Sequence, residues 1–381
     1  MTKVGLVVLA TPGSGGTYQY SLSMLEALRL AQGFEITLYA DASNEDLRKL
    51  GYPIRSFAEP RARQVAYLAA DSLGMNLEDP FGNEDFLIAP IYSLALLHTA
   101  KSFAYTLHDL QEFHHPQNFS WAQRKWRRSV HARLSRRATR IICESEHVKS
   151  DIVSMLEMPA EKIAVVAAPP LSRAFDDFTA EELEKVRRCL SLPNRFVFYP
   201  AQFWPHKNHL RLIAAFKQVV AQEPELKLVL TGEKQNEYAT VMRAIGEAGL
   251  EDSIKHLGYI EQTDLQAIYH LSVALVMPSL FESVSIPIYE AFQAGTPVAA
   301  SGILSIPEQV GEAGLLFDPL SISSIAQSIL RLAHNPDFAQ MLGNRGRGKM
   351  ALMTPQRYCR QLQILFGELA QEAKAQSQRG F

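Results

Sequence analysis

The chain has 381 residues, 47% of them hydrophobic, and its 38 Lys and Arg against 40 Asp and Glu leave a formal net charge of −2. That length suits two domains, each able to bury a core, and the near-neutral balance speaks against a general nucleic-acid binder, which should be basic. The three cysteines, Cys143, Cys189 and Cys359, form no CxxC pair, so neither a disulfide framework nor a cysteine-rich zinc site is expected, and a reducing, cytoplasmic compartment fits.

The first apolar run, Val4–Ala10, is short and runs into a glycine loop, which reads as a β-strand and not a signal peptide. Further strands are expected at Glu35–Ala40, Phe86–Ala89, Ser102–Leu107, Arg140–Cys143 and Ile163–Ala167, with helical periodicity between them. The pair Pro169-Pro170 and the acidic stretch from Asp176 to Glu184 then interrupt the rhythm. It restarts at Arg195–Pro200 and continues through Lys227–Thr231, Ile254–Leu257, Val273–Met277, Pro297–Ala300 and Gly314–Phe317. The pattern predicts an α/β fold with a first domain over residues 1–172, a linker over 173–194 and a second domain over 195–354. An amphipathic stretch begins at Pro355 with no strand after it, so a C-terminal helix, 355–381, is expected to return to the first domain. No stretch reaches the roughly 20 apolar residues of a membrane-spanning helix. Ligands of such sheets bind beyond the carboxyl ends of the strands, and each motif below falls at such an end.

Gly13-Ser14-Gly15-Gly16 follows the first strand, but Thr17-Tyr18-Gln19 stands where a GxGxxG loop would need its third glycine, and no GxxxxGK[ST] stretch occurs. A phosphate or sugar contact at Gly15 and Gly16 is therefore expected in place of nicotinamide binding. His108-Asp109 ends another strand. His108 could donate to a sugar hydroxyl or phosphate, or be satisfied by neighbouring backbone. His114 and His115 follow, but the spacing suggests no third convergent ligand, and no Asp-x-Asp pair occurs, so no catalytic metal is expected. From Ser120 to Arg140 the chain carries Arg124, Lys125, Arg127, Arg128, Arg133, Arg136, Arg137 and Arg140, with no acid between Phe113 and Cys143. Trp126, Val130, Leu134 and Ala138 form an i,i+4 stripe, so a helix with one core face and a basic outer face is predicted. That face is either solvated or a contact for anionic lipid or a lipid-pyrophosphate acceptor through Arg124, Lys125, Arg127 and Arg128.

In the second half, Tyr199 to His209 follows a strand and precedes a helix, with Lys207 placed to reach a phosphate. Ser279 to Glu290 does the same. Pro287 suits the first helical turn, so the amides of Val284, Ser285 and Ile286 should lie at a helix N-terminus, which attracts anions. Glu282 and Glu290 flank that cradle, and carboxylates are good acceptors for vicinal hydroxyls. The simplest alternative is a solvated Glu282, with Glu290 complementing the helix dipole.

Together these segments resemble the GT-B glycosyltransferases of family 4, two Rossmann-like domains facing each other across a cleft. That family carries a Glu-x7-Glu motif, matched by Glu282 and Glu290, and a lysine after the first strand of its second domain, matched by Lys207. Leu230-Thr231-Gly232, Leu257-Gly258-Tyr259-Ile260, Met277-Pro278-Ser279 and Ala291 to Ala299 match its usual surroundings. The resemblance implies that Glu290 binds ribose hydroxyls, Glu282 the donor sugar, and Lys207 the diphosphate. It implies further that the amides from Ser283 to Ile286 and the glycines at 15 and 16 complete the phosphate cradle, that backbone at Tyr259 and Ile260 reads the base, and that His108 lies beside the reacting sugar. Where the family often has an arginine, Gln202 stands here. The implied reaction moves a hexose, with retention and without a metal or cofactor, from a nucleotide sugar to a carbohydrate or lipid-linked hydroxyl. UDP-glucose is the first expectation for the donor and GDP-mannose the second. An epimerase, a phosphorylase or a non-catalytic nucleotide-sugar sensor are the rivals. The expected location is cytoplasmic, with the basic helix as the means of any peripheral contact with the inner face of the membrane.

Overall fold

A computed structural model describes residues 1–170 and 178–379. They form two compact units, Met1–Leu171 with Met353–Phe381, and Ser172–Leu352. The first holds β1 (Thr2–Val8), β2 (Phe34–Ala40), β3 (Ile54–Ser56), β4 (Phe86–Ala89), β5 (Ser102–Thr106), β6 (Arg140–Cys143) and β7 (Ile163–Val165). They pair in parallel in the order β3-β2-β1-β4-β5-β6-β7. Side chains alternate along a strand, so Val4, Leu6 and Val8 enter one core layer and Val7 enters the other. The first layer is closed by the helix Gly16–Leu28 and by Tyr358, Leu362, Leu365, Phe366 and Leu369 of the C-terminal helix Pro355–Arg379. The second takes Val130, Leu134 and Ala138, three of the four residues of the predicted stripe.

The second unit holds β8 (Phe196–Pro200), β9 (Lys227–Thr231), β10 (Ile254–His256), β11 (Ala274–Met277), β12 (Val298–Ser301) and β13 (Gly314–Phe317). Their order is β10-β9-β8-β11-β12-β13, again parallel. Each sheet has a switch point, between β1 and β4 and between β8 and β11, where successive connections leave in opposite directions and open a crevice at the carboxyl edge.

Two details differ from the sequence reading. The edge strand β3 was not expected: Ile54 is the only apolar residue in it, and it is only partly buried, so no apolar run marks it. Of the expected linker, residues 173–177 lie outside the described residues, but the remainder is not plain linker. Thr179 and Glu182 form a capping box that starts the helix Ala180–Cys189. That helix packs on Gln262–Leu271 in the second unit.

Candidate functional site

In the second unit the two motif loops leave β8 and β11, the strands on either side of the switch point, and so arrive side by side. They are braced together. Asn208, at φ 61°, a conformation asparagine tolerates well, is buried and donates through Nδ2 to the carbonyls of Pro278 at 2.8 Å and Pro319 at 2.9 Å. The Leu280 amide donates to the His206 carbonyl at 2.7 Å, and the Tyr199 hydroxyl to the Lys207 carbonyl at 2.6 Å.

Between these braces, Lys207 Nζ donates to Glu282 Oε1 at 2.6 Å, with side chains 20% and 11% exposed. The two charges assigned to separate parts of a ligand therefore neutralise each other. Two part-buried charges need such compensation, but among the described residues neither makes a second ion pair, and the pair still reaches solvent.

The helix Ile286–Ala294 begins directly beyond, with Ser285 as its N-cap and Pro287 in the first turn. Not all the expected amides are open. The Ser285 N–H donates to Gln309 Oε1 at 2.9 Å, while Gln309 Nε2 donates back to the Ser285 carbonyl at 2.7 Å. Ser285 is thus withdrawn from the expected cradle, because the helix Ile306–Val310 supplies a side chain of matching polarity. The carbonyls of Glu282 and Ser283 accept from Ser305 Oγ. Among the described residues no hydrogen bond uses the amides of Val284 or Ile286, so these two remain for an anion at the positive end of the helix.

Glu290 is the fifth residue of that helix and 9% exposed. Burial raises its pKa above the ordinary carboxylate value, against hydrogen bonds from Tyr269 and Gln262 that favour the ionised form. Tyr269 OH donates at 2.7 Å. Gln202 is exposed, and its Oε1 accepts from Trp204 Nε1 at 2.8 Å, leaving its amide nitrogen outward. Tyr259 is exposed beyond β10, on a turn where Gly258 has φ 76°. Gly232 explains the Leu-Thr-Gly pattern: a Cβ there would meet the Ala201 carbonyl oxygen at 2.5 Å.

In the first unit Gly15 has φ 60° and precedes the helix that starts at Gly16, beyond β1 at the other switch point. His108 follows β5 and is committed on both sides. Its Nδ1 lies 2.9 Å from Glu144 Oε2, beyond β6, and its Nε2 lies 3.0 Å from the Pro90 carbonyl, beyond β4. Two acceptors demand two ring N–H groups, so the imidazolium is favoured. Burial alone would lower its pKa, but the Glu144 hydrogen bond and charge, helped by Pro90, raise it. Both ring nitrogens are engaged in this arrangement, which fits the alternative of a histidine satisfied by its neighbours. Its partner Glu144 has a sequence signal too, a polar residue at the carboxyl end of β6.

The basic helix, Trp121–Arg137, is also more engaged than its sequence suggests. Arg127 bonds Asp109 at 3.0 Å and Glu112 at 2.9 Å. Burial pushes the fully buried Glu112 carboxyl up, but His131 and Arg127 outweigh it and hold its pKa at about 2. Arg128 lies 4.2 Å over the Phe113 ring and donates to the Glu112 carbonyl. Arg133 and Arg137 both pair with Asp71. The segment lacks acids of its own, but the fold brings them from elsewhere. Lys125, over the exposed Trp121 ring at 4.2 Å, stays outward. The expectation that no third ligand meets His114 also needs correction. His147 and Asp151 converge on it from the helix Glu146–Leu156, which the fold lays beside the β5 loop.

Two family models match in succession: "Glycosyltransferase Family 4" over residues 14–168 and "Glycosyl transferases group 1" over 184–349. The O-antigen chain mannosyltransferase B of Escherichia coli is 28% identical over 257 residues, 66% of this chain and 66% of that protein, which is just short of two thirds of each. The O-antigen chain mannosyltransferase RfbU of Salmonella typhimurium is 24% identical over 350 residues, 89% of this chain and 94% of that protein. Among solved structures, Anabaena HepE in complex with UDP and glucose superposes with a TM-score of 0.76 at 18% identity, covering 96% of this chain and 100% of that one.

Proposed function

Because the chain belongs to the family 4 glycosyltransferases of the GT-B fold, we propose that it is a retaining hexosyltransferase, moving a sugar from a nucleotide diphosphate sugar to a hydroxyl acceptor in polysaccharide synthesis. The observation that carries this reading is the Lys207–Glu282 pair beside the two open amides of Val284 and Ile286. An arriving diphosphate offers Lys207 a more highly charged partner. Once Lys207 turns to it, the Glu282 carboxylate is released to accept from the sugar hydroxyls. One exchange thus serves both halves of the donor, and Glu290 takes the ribose hydroxyls. Catalysis then consists of positioning and of stabilising charge on the departing phosphate. Among the described residues no carboxylate is assigned as a nucleophile, so in this reading the acceptor attacks on the face the phosphate leaves, and the phosphate takes its proton.

Family frequency alone favours UDP-glucose as donor, but the two relatives named above are mannosyltransferases, which moves GDP-mannose to first place. A hydroxyl-rich acceptor is supported by a cavity of about 800 Å³ in the first unit. Asp41, Glu45 and Asp46 line it, carboxylates that accept from sugar hydroxyls and repel a second phosphate. Residual contact with an anionic membrane falls chiefly to the exposed Lys125, since Arg127 and Arg128 are engaged and Arg124 is half-buried. Among the described residues no helix is long and apolar enough to cross a membrane.

The test is incubation of purified protein with GDP-mannose or UDP-glucose and an oligosaccharide acceptor, with the anomeric configuration of the product read by NMR. Transfer with retention, undiminished by EDTA, is expected. Transfer with inversion, or activity abolished by EDTA and restored by Mg²⁺, would overturn the mechanism, and transfer from UDP-glucose alone would overturn the donor.

A further inference from the structure

One side-chain cluster outside the donor loops has the composition of a metal site. His147 and Asp151 stand one turn apart on the helix Glu146–Leu156, and His114 ends the short helix Gln111–His114. Nε2 of His114 lies 2.6 Å from Asp151 Oδ2, and Nε2 of His147 lies 3.5 Å from the same oxygen. One ligand atom from each residue falls within 4.8 Å of the others. Asp151 is buried. His147 Nε2 is shielded from water and has no hydrogen-bond partner among the described residues, its distance to Asp151 being too long for a good one. A carboxylate oxygen between two imidazole nitrogens, one of them unsatisfied, is an arrangement that a single dication completes.

The donor set selects the cation. Mg²⁺ and Ca²⁺ take six or more oxygens, whereas two imidazoles and a carboxylate suit a late divalent metal. Metal–ligand distances of about 2.0–2.1 Å place tetrahedral neighbours about 3.3 Å apart. The His147–Asp151 spacing meets this already, and rotation of His114 opens the shorter contact. The side chains of His114 and His147 are 22% and 30% exposed, so the cluster lies close to the surface. We propose that His114, His147 and Asp151 form a Zn²⁺ site in the first unit, with a fourth position open to water. His114 lies six residues after His108, and His147 three after Glu144, so the cation fastens together the two segments that carry the His108–Glu144 pair. Its role is to hold this edge of the sheet. The site shares no residue with Lys207, Glu282 or Glu290, so its failure leaves the proposed transfer reaction untouched.

The experiment is titration of metal-stripped protein with Zn²⁺ against a chromophoric chelator, with Co²⁺ substitution for its visible spectrum. One Zn²⁺ per chain is expected, not displaced by a large excess of Mg²⁺, with the intense visible bands of tetrahedral Co²⁺. His147→Ala and Asp151→Asn should each weaken binding by about 100-fold, while His115→Ala, outside the cluster, and Cys189→Ala, which removes the exposed thiol, should change nothing. Should His147→Ala fail to fold, the near-isosteric Asp151→Asn and the Co²⁺ spectrum of the unmodified protein carry the test. The proposal is overturned by absence of one-to-one binding, by variants within about threefold of wild type, by displacement by Mg²⁺, or by an octahedral Co²⁺ spectrum.

Discussion

The carboxyl edges of the two sheets carry similar side chains and treat them in opposite ways. At the second sheet, Lys207 and Glu282 have each other and little else. At the first, His108 is gripped by Glu144 and Pro90, and Arg127 by Asp109 and Glu112. A charge with one exchangeable partner can be handed to a ligand, whereas a charge with two internal partners is already spent on the fold. On the proposed function, the number of competing partners, more than residue type or exposure, sets the proposed binding group apart from the bracing group.

The sharpest way to break this comparison is Lys207→Ala. A charge-assisted hydrogen bond contributes about 1.5–3 kcal/mol, about 10–150-fold in a rate or equilibrium constant. Charge on the phosphate grows as the bond breaks, so turnover at saturating donor should fall by that factor as well as donor affinity. Steady-state kinetics showing turnover within about twofold of wild type would mean that Lys207 only anchors the ground state. Next in size are the two carboxylates. Glu290→Ala should weaken binding of GDP or UDP by about tenfold, and Glu282→Ala should weaken the intact sugar nucleotide more than the bare one. Calorimetry giving equal losses for both ligands in both variants would end the division of roles. Because burial raises the Glu290 pKa, nucleotide affinity should decline on acidification sooner than an ordinary carboxylate would allow.

His108→Gln tests the bracing side, with an expected cost of about 1–2 kcal/mol of stability in mild acid. The fold raises the His108 pKa, so its contribution is complete below the ordinary imidazole value and is lost as pH rises through the raised value. The difference in melting temperature between wild type and variant should therefore be larger at pH ~5.5 than at pH ~8.5; a gap that grows with pH would contradict the cationic, doubly bonded ring. The smallest effect belongs to Lys125→Ala, which should lower affinity for anionic vesicles by about 1 kcal/mol or less at low salt without changing stability. Arg127→Ala should do the reverse. Co-sedimentation and melting curves, run together, decide whether the two cations differ in this way.

Strand positions were legible because a buried parallel strand is a continuous apolar run. Twelve such runs were visible, and the strand that escaped, Ile54–Ser56, has no such run. The loops of Lys207 and Glu282 were legible for a related reason: a strand, a shaped loop and a helix start leave a local pattern. What stayed hidden was pairing at a distance. Nothing near Ser285 announces that Gln309 will take its amide, and nothing near Arg133 points to Asp71, 62 residues earlier. Periodicity reports which face of an element is covered, but not which residue from another element arrives to cover it. Hence the basic helix read as freer than it is, and His114 as lacking the ligands that helix Glu146–Leu156 supplies.

The helix Pro355–Arg379 gives the first unit a peculiar dependence on the order of synthesis. Tyr358, Leu362 and Phe366 fill the layer that β1 and the helix Gly16–Leu28 begin, yet they leave the ribosome after the whole second unit. A nascent chain that has emerged as far as residue 352 holds a complete second unit and a first unit with one flank of its sheet uncovered. The second unit can therefore mature while the first waits, so the part of the enzyme made first is the part finished last. Until then the apolar flank around Phe34 and Phe86, which later receives Phe366 at 5.2 and 5.3 Å, is a surface for chaperones to shield.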